Sequence, residues 1–137
     1  MELQVGVKAL LKNVDGKFLL VRRNFEKYKE VKGEWDIVGG RIEPGTPLLE
    51  NLKREIREET GLLLSDGPAL VAAQDILRVE GRHVVRLTYT ANIVGEPKLD
   101  EYHTDFKWLT LAEMKNFDNL DIYLKELLEN GTFDQAF

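Results

Sequence analysis

No cysteine occurs anywhere in the 137 residues, and that absence excludes disulfides, thiolate zinc sites and cysteine nucleophiles together. Serine occurs once, as Ser65 in a Leu-Ser-Asp-Gly stretch without the Gly-x-Ser-x-Gly frame, which argues against a serine-hydrolase triad. Histidine is confined to His83 and His103, read here as ordinary strand and loop residues. Basic charge is in deficit: 19 Lys plus Arg stand against 24 Asp plus Glu, a net charge of −5. A general nucleic-acid binder needs a positive footprint to release counterions, so that class is set aside. An anionic ligand would have to be held by a local basic patch or by metal ions. No apolar run approaches the ~20 residues of a membrane span, and the Met1-Glu2 start lacks the basic and apolar blocks of a signal peptide. The expectation is a cytoplasmic protein without membrane contact. With 43% hydrophobic and 31% charged residues, the chain reads as one self-folding domain over residues 1–137.

What is present is strand-like at first. Leu3, Val5, Val7, Ala9 and Leu11 alternate with mostly polar neighbours, and Asn13 to Lys17 turn the chain into Phe18-Leu19-Leu20-Val21, predicting an opening hairpin. Arg22 to Lys32 carries five basic residues against two acidic ones, an exposed loop by composition. After the apolar run Trp35 to Val38 and the pair Gly39-Gly40, Thr46 is expected to cap a helix with Pro47 at its first position. That helix should run to about Thr60 and end at Gly61. Ala69 to Glu80 and His83 to Val94, joined by Gly81-Arg82, predict a second long hairpin. Phe106 to Leu109 reads as a short strand, Thr110 to Glu113 as a capping box, and Asp121 to Glu129 as a last amphipathic helix whose apolar side carries Ile122, Leu124, Leu127 and Leu128.

The helix from residue 46 onward carries the chemistry. At about 100° per residue, Leu49, Leu52 and Ile56 form a stripe with Leu48 at its edge, and this stripe should face the core. Glu59 projects between Leu48 and Leu52, and Glu55 and Glu58 follow around one side, so that the carboxylates begin on the apolar face. Like charges three or four positions apart cost roughly 0.2–0.5 kcal/mol per pair unless something neutralises them. A divalent cation would do so; a solvated acidic face braced by Arg54 and Arg57 is the plainer alternative.

Read continuously, Gly39-Gly40-Arg41-Ile42-Glu43-Pro44-Gly45-Thr46 leads into this helix and Arg54-Glu55-Ile56-Arg57-Glu58-Glu59-Thr60-Gly61-Leu62 closes it. The stretch resembles the signature box of the Nudix hydrolases, MutT-like enzymes. Gly40, Arg54, Glu55, Ile56, Glu58, Glu59, Gly61 and Leu62 all fall in register with the family pattern, Arg54 and Gly61 as its structural members. One position departs, Thr46 standing where the pattern has its first Glu; Glu50 is expected to replace that Glu as a partner of Arg54. The resemblance implies an α/β/α sandwich with a mixed β-sheet, the box helix on one face and the C-terminal helix on the other.

It also implies Mg²⁺, with Mn²⁺ as substitute, bound by Glu55, Glu58 and Glu59 with the Gly40 carbonyl as a further ligand. Three close carboxylates suit a hard, six-coordinate ion that clamps phosphoryl oxygens and acidifies a bound water. Glu55, Glu58 and Glu101 are the catalytic candidates, the general base being either Glu55 or Glu101. Arg22 and Arg23, at a strand end, are candidate phosphate contacts, Arg23 favoured because similar enzymes carry an Arg there. Trp35 is a candidate base-stacking residue, with a core position as its alternative. The expected substrate is a small-molecule nucleoside diphosphate linked to another group: first a nucleoside triphosphate, then ADP-ribose or a dinucleoside polyphosphate. A non-catalytic nucleotide-binding regulatory domain is the alternative of a different class, and a homodimer is an option for assembly.

Overall fold

The computed structural model describes residues 1–24 and 33–134. Among them the chain runs β1 (Glu2–Lys12), β2 (Phe18–Arg23), β3 (Trp35–Asp36), β4 (Val38–Arg41), α1 (Leu48–Thr60), β5 (Leu63–Leu64), β6 (Ala69–Ile76), β7 (Arg82–Val94), β8 (His103–Leu109), α2 (Leu111–Lys115) and α3 (Ile122–Glu129). Residues 25–32 of the basic segment, Lys27, Lys29 and Lys32 included, lie outside the described residues.

The sheet is mixed and built on β1. Along one edge β1 pairs in parallel with β7, from Glu2 opposite Arg82 to Lys12 opposite Asn92. Along the other it pairs antiparallel with β4, from Gly6 opposite Arg41 to Ala9 opposite Val38. The expected opening hairpin is thereby corrected. Asn13 does close a tight turn, its Oδ1 accepting from the Asp15 and Lys17 N–H groups, but β1 and β2 meet only at Lys12 and Phe18. The edge that β2 would need is taken by β4, and β2 runs on instead to pair with β8 and β3. The second hairpin is present, β6 lying antiparallel to β7, but its ladder ends at Ile76 opposite Val84 rather than at Glu80. Leu63 and Leu64 add a short antiparallel piece to the far end of β7.

Both faces of the sheet are buried, which makes the α/β/α sandwich. Val7, Ala9, Leu11, Leu19, Val21 and Val38 meet Leu52 and Ile56 of α1 on one face. Leu10, Phe18, Leu20 and Ile37 meet Met114, Leu124, Leu127 and Leu128 of α2 and α3 on the other. Burial of each such Leu or Ile contributes roughly 1.5–3 kcal/mol. α1 lies on the sheet by its middle and last turns, so Leu48 and Leu49, expected in the core stripe, are exposed. Ile122, at the start of α3, is likewise exposed. The Thr110 capping box forms as expected, with Thr110 accepting from the Glu113 N–H and Glu113 accepting from the Thr110 N–H. Among the described residues no helix is long and apolar enough to cross a membrane.

Candidate functional site

The site is assembled where β4 hands over to α1. Gly39 has φ +140°, and a Cβ there would collide with the Val7 carbonyl oxygen, so only glycine lets β4 lie this close to β1. Its N–H is left to point at α1, donating to Glu59 Oε2 at 2.7 Å. Gly40 is required for a different reason. A Cβ on it would stand 2.7 Å from Glu55 Oε2, so the missing side chain is the cradle in which the Glu55 carboxylate rests.

The loop from 41 to 47 is held by a residue the sequence reading passed over. Asn51, fully buried in the first turns of α1, accepts from the Glu43 N–H at 3.0 Å and donates to the carbonyls of Thr46 at 2.7 Å and Pro47 at 2.9 Å. Its Oδ1 also accepts from Arg54 Nη2 at 3.1 Å. These contacts overturn the expected capping. Pro47, extended at φ −59° and ψ 152°, occupies the cap position, and no side chain caps the helix. Thr46 stands one residue too early, because the proline ring imposes an extended conformation on the residue before it and the helix starts after it. Glu50 is exposed, and the expected Glu50–Arg54 pairing is replaced by Glu43, Glu55 and Glu58, at 3.4, 3.3 and 3.5 Å from the guanidinium. Arg54 thus fans out beneath two of the three box carboxylates.

Those carboxylates differ in exposure. Glu58 is half exposed, while Glu55 is largely and Glu59 almost wholly buried. Burial pushes the Glu59 carboxyl up to about 8; Lys8 and the Gly39 N–H oppose the shift, and the neighbouring Glu55 charge adds to it. Burial also pushes Glu55 up, against Arg54 and with Glu58. Two like-charged groups are therefore held together at an electrostatic cost, the environment a cation would relieve. Among the described residues no three Asp, Glu or His groups form a ready-made cage. A hard divalent cation that keeps several waters needs no more than one or two carboxylates beside its phosphate ligands. Glu55, Glu58, Glu59 and the Gly40 carbonyl are the groups that could hold it. Gly61, with φ +71°, ends α1 behind them.

The remaining candidates fall in several places. Arg23 is not free to grip phosphate: its guanidinium is buried and donates to Asp36 and, at 3.1 Å, to Asp121. Arg86 completes this cluster, with nitrogens 2.9 and 3.1 Å from the two Asp36 oxygens and 3.3 Å from Asp121. Trp35 belongs to the core, packed edge-on against Phe117 at 5.4 Å with Lys107 over its ring, and the stacking expectation is corrected accordingly. Arg22 is exposed, with its Nε 3.4 Å from Glu34. Glu101 has an exposed side chain and its carbonyl accepts from Asn24. The residue that reaches the site from this loop is His103, buried, with Nε2 3.4 Å from Glu59 Oε1 and Nδ1 2.7 Å from Asp100 Oδ1. A histidine three residues from an aspartate was the only signal available for it.

Comparison with known proteins bears on the family and the fold. The family model described as the NUDIX domain matches residues 2–130. The nucleoside triphosphatase NudI of Escherichia coli strain K12 is 31% identical over 114 residues, which cover 76% of this chain and 80% of that protein. The MutT protein of Methanosarcina mazei Go1 superposes with a TM-score of 0.83 at 25% identity, over 98% of this chain and 96% of that one. The E. coli ORF135 protein does so with a TM-score of 0.79 at 28% identity, over 99% and 94%.

Proposed function

The chain belongs to the Nudix family of hydrolases, enzymes of phosphoanhydride bonds, and from that premise we propose that it is a Mg²⁺-dependent nucleoside triphosphate pyrophosphatase in which Mn²⁺ can substitute. The observation that carries this reading is the pair Glu55 and Glu59, buried together with raised carboxyl pKa values beside a glycine cradle. The whole chain acts as a single domain in this proposal.

Glu58, Glu59 and the Gly40 carbonyl, with Glu55 beside or among them, would hold the cation, which when bound would supply charge neutralisation for phosphoryl oxygens and acidification of a water. Glu55 is the favoured general base over Glu101. Its carboxylate is oriented by Arg54 and the Gly40 cradle, and burial moves its pKa toward the working range of a base, whereas the Glu101 side chain is exposed. Arg54, set by Asn51, lies against both Glu55 and Glu58 and offsets their mutual repulsion. Arg22 remains the anion contact at the end of β2.

A nucleoside triphosphate is ranked first because the similar E. coli protein bears the name nucleoside triphosphatase. The test is a panel of nucleoside triphosphates, ADP-ribose and dinucleoside polyphosphates incubated with Mg²⁺, with phosphate and pyrophosphate release measured separately. Pyrophosphate release from triphosphates, abolished by EDTA, is expected. Turnover surviving exhaustive chelation would end the metal reading, and turnover confined to dinucleoside polyphosphates would replace the substrate.

A further inference from the structure

Glu59 is gripped from two directions, and only one of the grips comes from the signature box. From the box side, the Gly39 N–H holds Oε2 at 2.7 Å. From the opposite side, His103 at the start of β8 places Nε2 3.4 Å from Oε1. The imidazole is itself fixed, because Asp100 Oδ1 lies 2.7 Å from its Nδ1. Asp100 accepts from Nδ1 and so sets the ring plane, and the contact of Nε2 with Glu59 Oε1 is attractive with one hydrogen between the two atoms. The loop bearing Asp100 is in turn stitched to the end of α1. The Lys98 N–H donates to the Thr60 carbonyl at 2.7 Å and the Asp100 N–H to the Glu59 carbonyl at 3.2 Å. Backbone and side chain of this loop therefore converge on the same glutamate.

A single backbone N–H on one oxygen leaves a glutamate free to swing about its last torsion, which has a broad, two-fold profile. A buried ring against the second oxygen removes that freedom. We propose that His103, oriented by Asp100, is a positioning residue that fixes the direction of the Glu59 carboxylate toward the divalent cation. The inference rests on the metal function proposed above and adds to it a residue pair outside the box. Such outer partners of metal-binding groups typically contribute about 10–100-fold in metal affinity.

The probe is Mn²⁺, titrated into the full chain and followed by electron paramagnetic resonance, with wild type, His103→Ala, His103→Gln and Asp100→Asn compared. His103→Ala should weaken Mn²⁺ binding about 10–100-fold. His103→Gln, which keeps a polar atom near the Nε2 position, should recover most of the loss, and Asp100→Asn should fall between them. At saturating Mn²⁺ the kcat of His103→Ala should fall while the KM for nucleotide stays near that of wild type. Wild-type affinity in His103→Ala would overturn the proposal, as would an equally large loss in His103→Gln. If His103→Ala does not fold, Asp100→Asn decides, and unchanged affinity in that variant overturns the role. A wild-type protein that binds no Mn²⁺ would refute the metal reading itself, whereas tight wild-type binding with an indifferent His103 refutes the positioning role alone.

Discussion

Two clusters of buried charge lie in the sandwich, and they are built on opposite terms. Around Asp36, opposite charges are matched: burial pushes its carboxyl up, but Arg86, Lys8 and Arg23 outweigh burial and hold it well below the usual range. Arg86, penalised by the same burial, is more than compensated by Asp36 and Asp121. Around Glu59, burial wins and a second carboxylate makes matters worse. Lys8 stands between the two, its Nζ 3.1 Å from Asp36 and its charge felt by both Glu55 and Glu59. The matched cluster ties β2, β3 and β7 to the N-cap of α3, where Asp121 accepts from the Tyr123 and Leu124 N–H groups. The other joins α1 to β4 through the Gly39 N–H on Glu59. Matched buried charge here ties the fold together, and the like-charged pair is the place where the proposed cation would relieve a strain the fold itself leaves.

The comparison breaks most visibly at Asp36. Asp36→Asn would leave Arg23 and Arg86 without their shared anion, and loss of one partner from a buried pair costs about 3–5 kcal/mol. Urea unfolding should show a loss of that size; a loss below 1 kcal/mol, about the worth of an exposed pair, would mean that the cluster is not structural. Glu58→Gln should do the reverse. It removes one charge from the proposed cation site without changing volume, so kcat should fall about 100-fold or more, the scale of a lost electrostatic contact at a reaction centre, with circular dichroism unchanged. Near-full activity would reduce the box carboxylates to an acidic face.

The sign of the pH dependence separates the clusters further. Glu59 has a folded pKa raised from 4.5 to about 8, so the stability it contributes is fully present below 4.5 and is lost as pH climbs through about 8. Asp36 is lowered, so its contribution is present above 3.8 and is lost as pH falls further. Metal-free protein should therefore melt at falling temperature as pH rises from 5 toward 8, about the window set by these values, and Glu59→Gln should flatten that decline. An identical slope in the variant would remove Glu59 as its source. The smallest effects are expected at the loop. Asn51→Ala strips four hydrogen bonds from a buried side chain and should cost about 1–3 kcal/mol, while Thr46→Ala, lacking any capping bond to lose, should cost less than about 0.5 kcal/mol. Equal losses in the two variants would restore Thr46 as a cap.

Period and spacing made much of this legible. The box helix, its Gly61 terminus, the Thr110 capping box and the second hairpin are local patterns, and the carboxylate arc of Glu55, Glu58 and Glu59 is a property of one helix. What was not legible depends on partners distant in the chain. Arg23 reads as a strand-end cation until the fold brings it Asp36 and Asp121, 13 and 98 residues away. Trp35 beside a glycine pair can be read as a stacking ligand although such aromatics are more often core, and its packing on Phe117 places it in the core. The opening hairpin failed because competition by β4 for the edge of β1 is a property of the sheet. Asn51 went unnoticed inside the unconstrained stretch of the box, although it braces the loop where Thr46 departs from the family pattern.

Thermal unfolding near pH 8, with and without Mg²⁺, tests the central claim most directly. A ligand that binds only the folded state stabilises it by an amount set by its concentration over its Kd, about 2.7 kcal/mol at 100 times Kd. The account predicts that saturating Mg²⁺ raises the melting temperature of the wild type and leaves Glu59→Gln almost unmoved. An equal rise in both proteins, or none in the wild type, would contradict it.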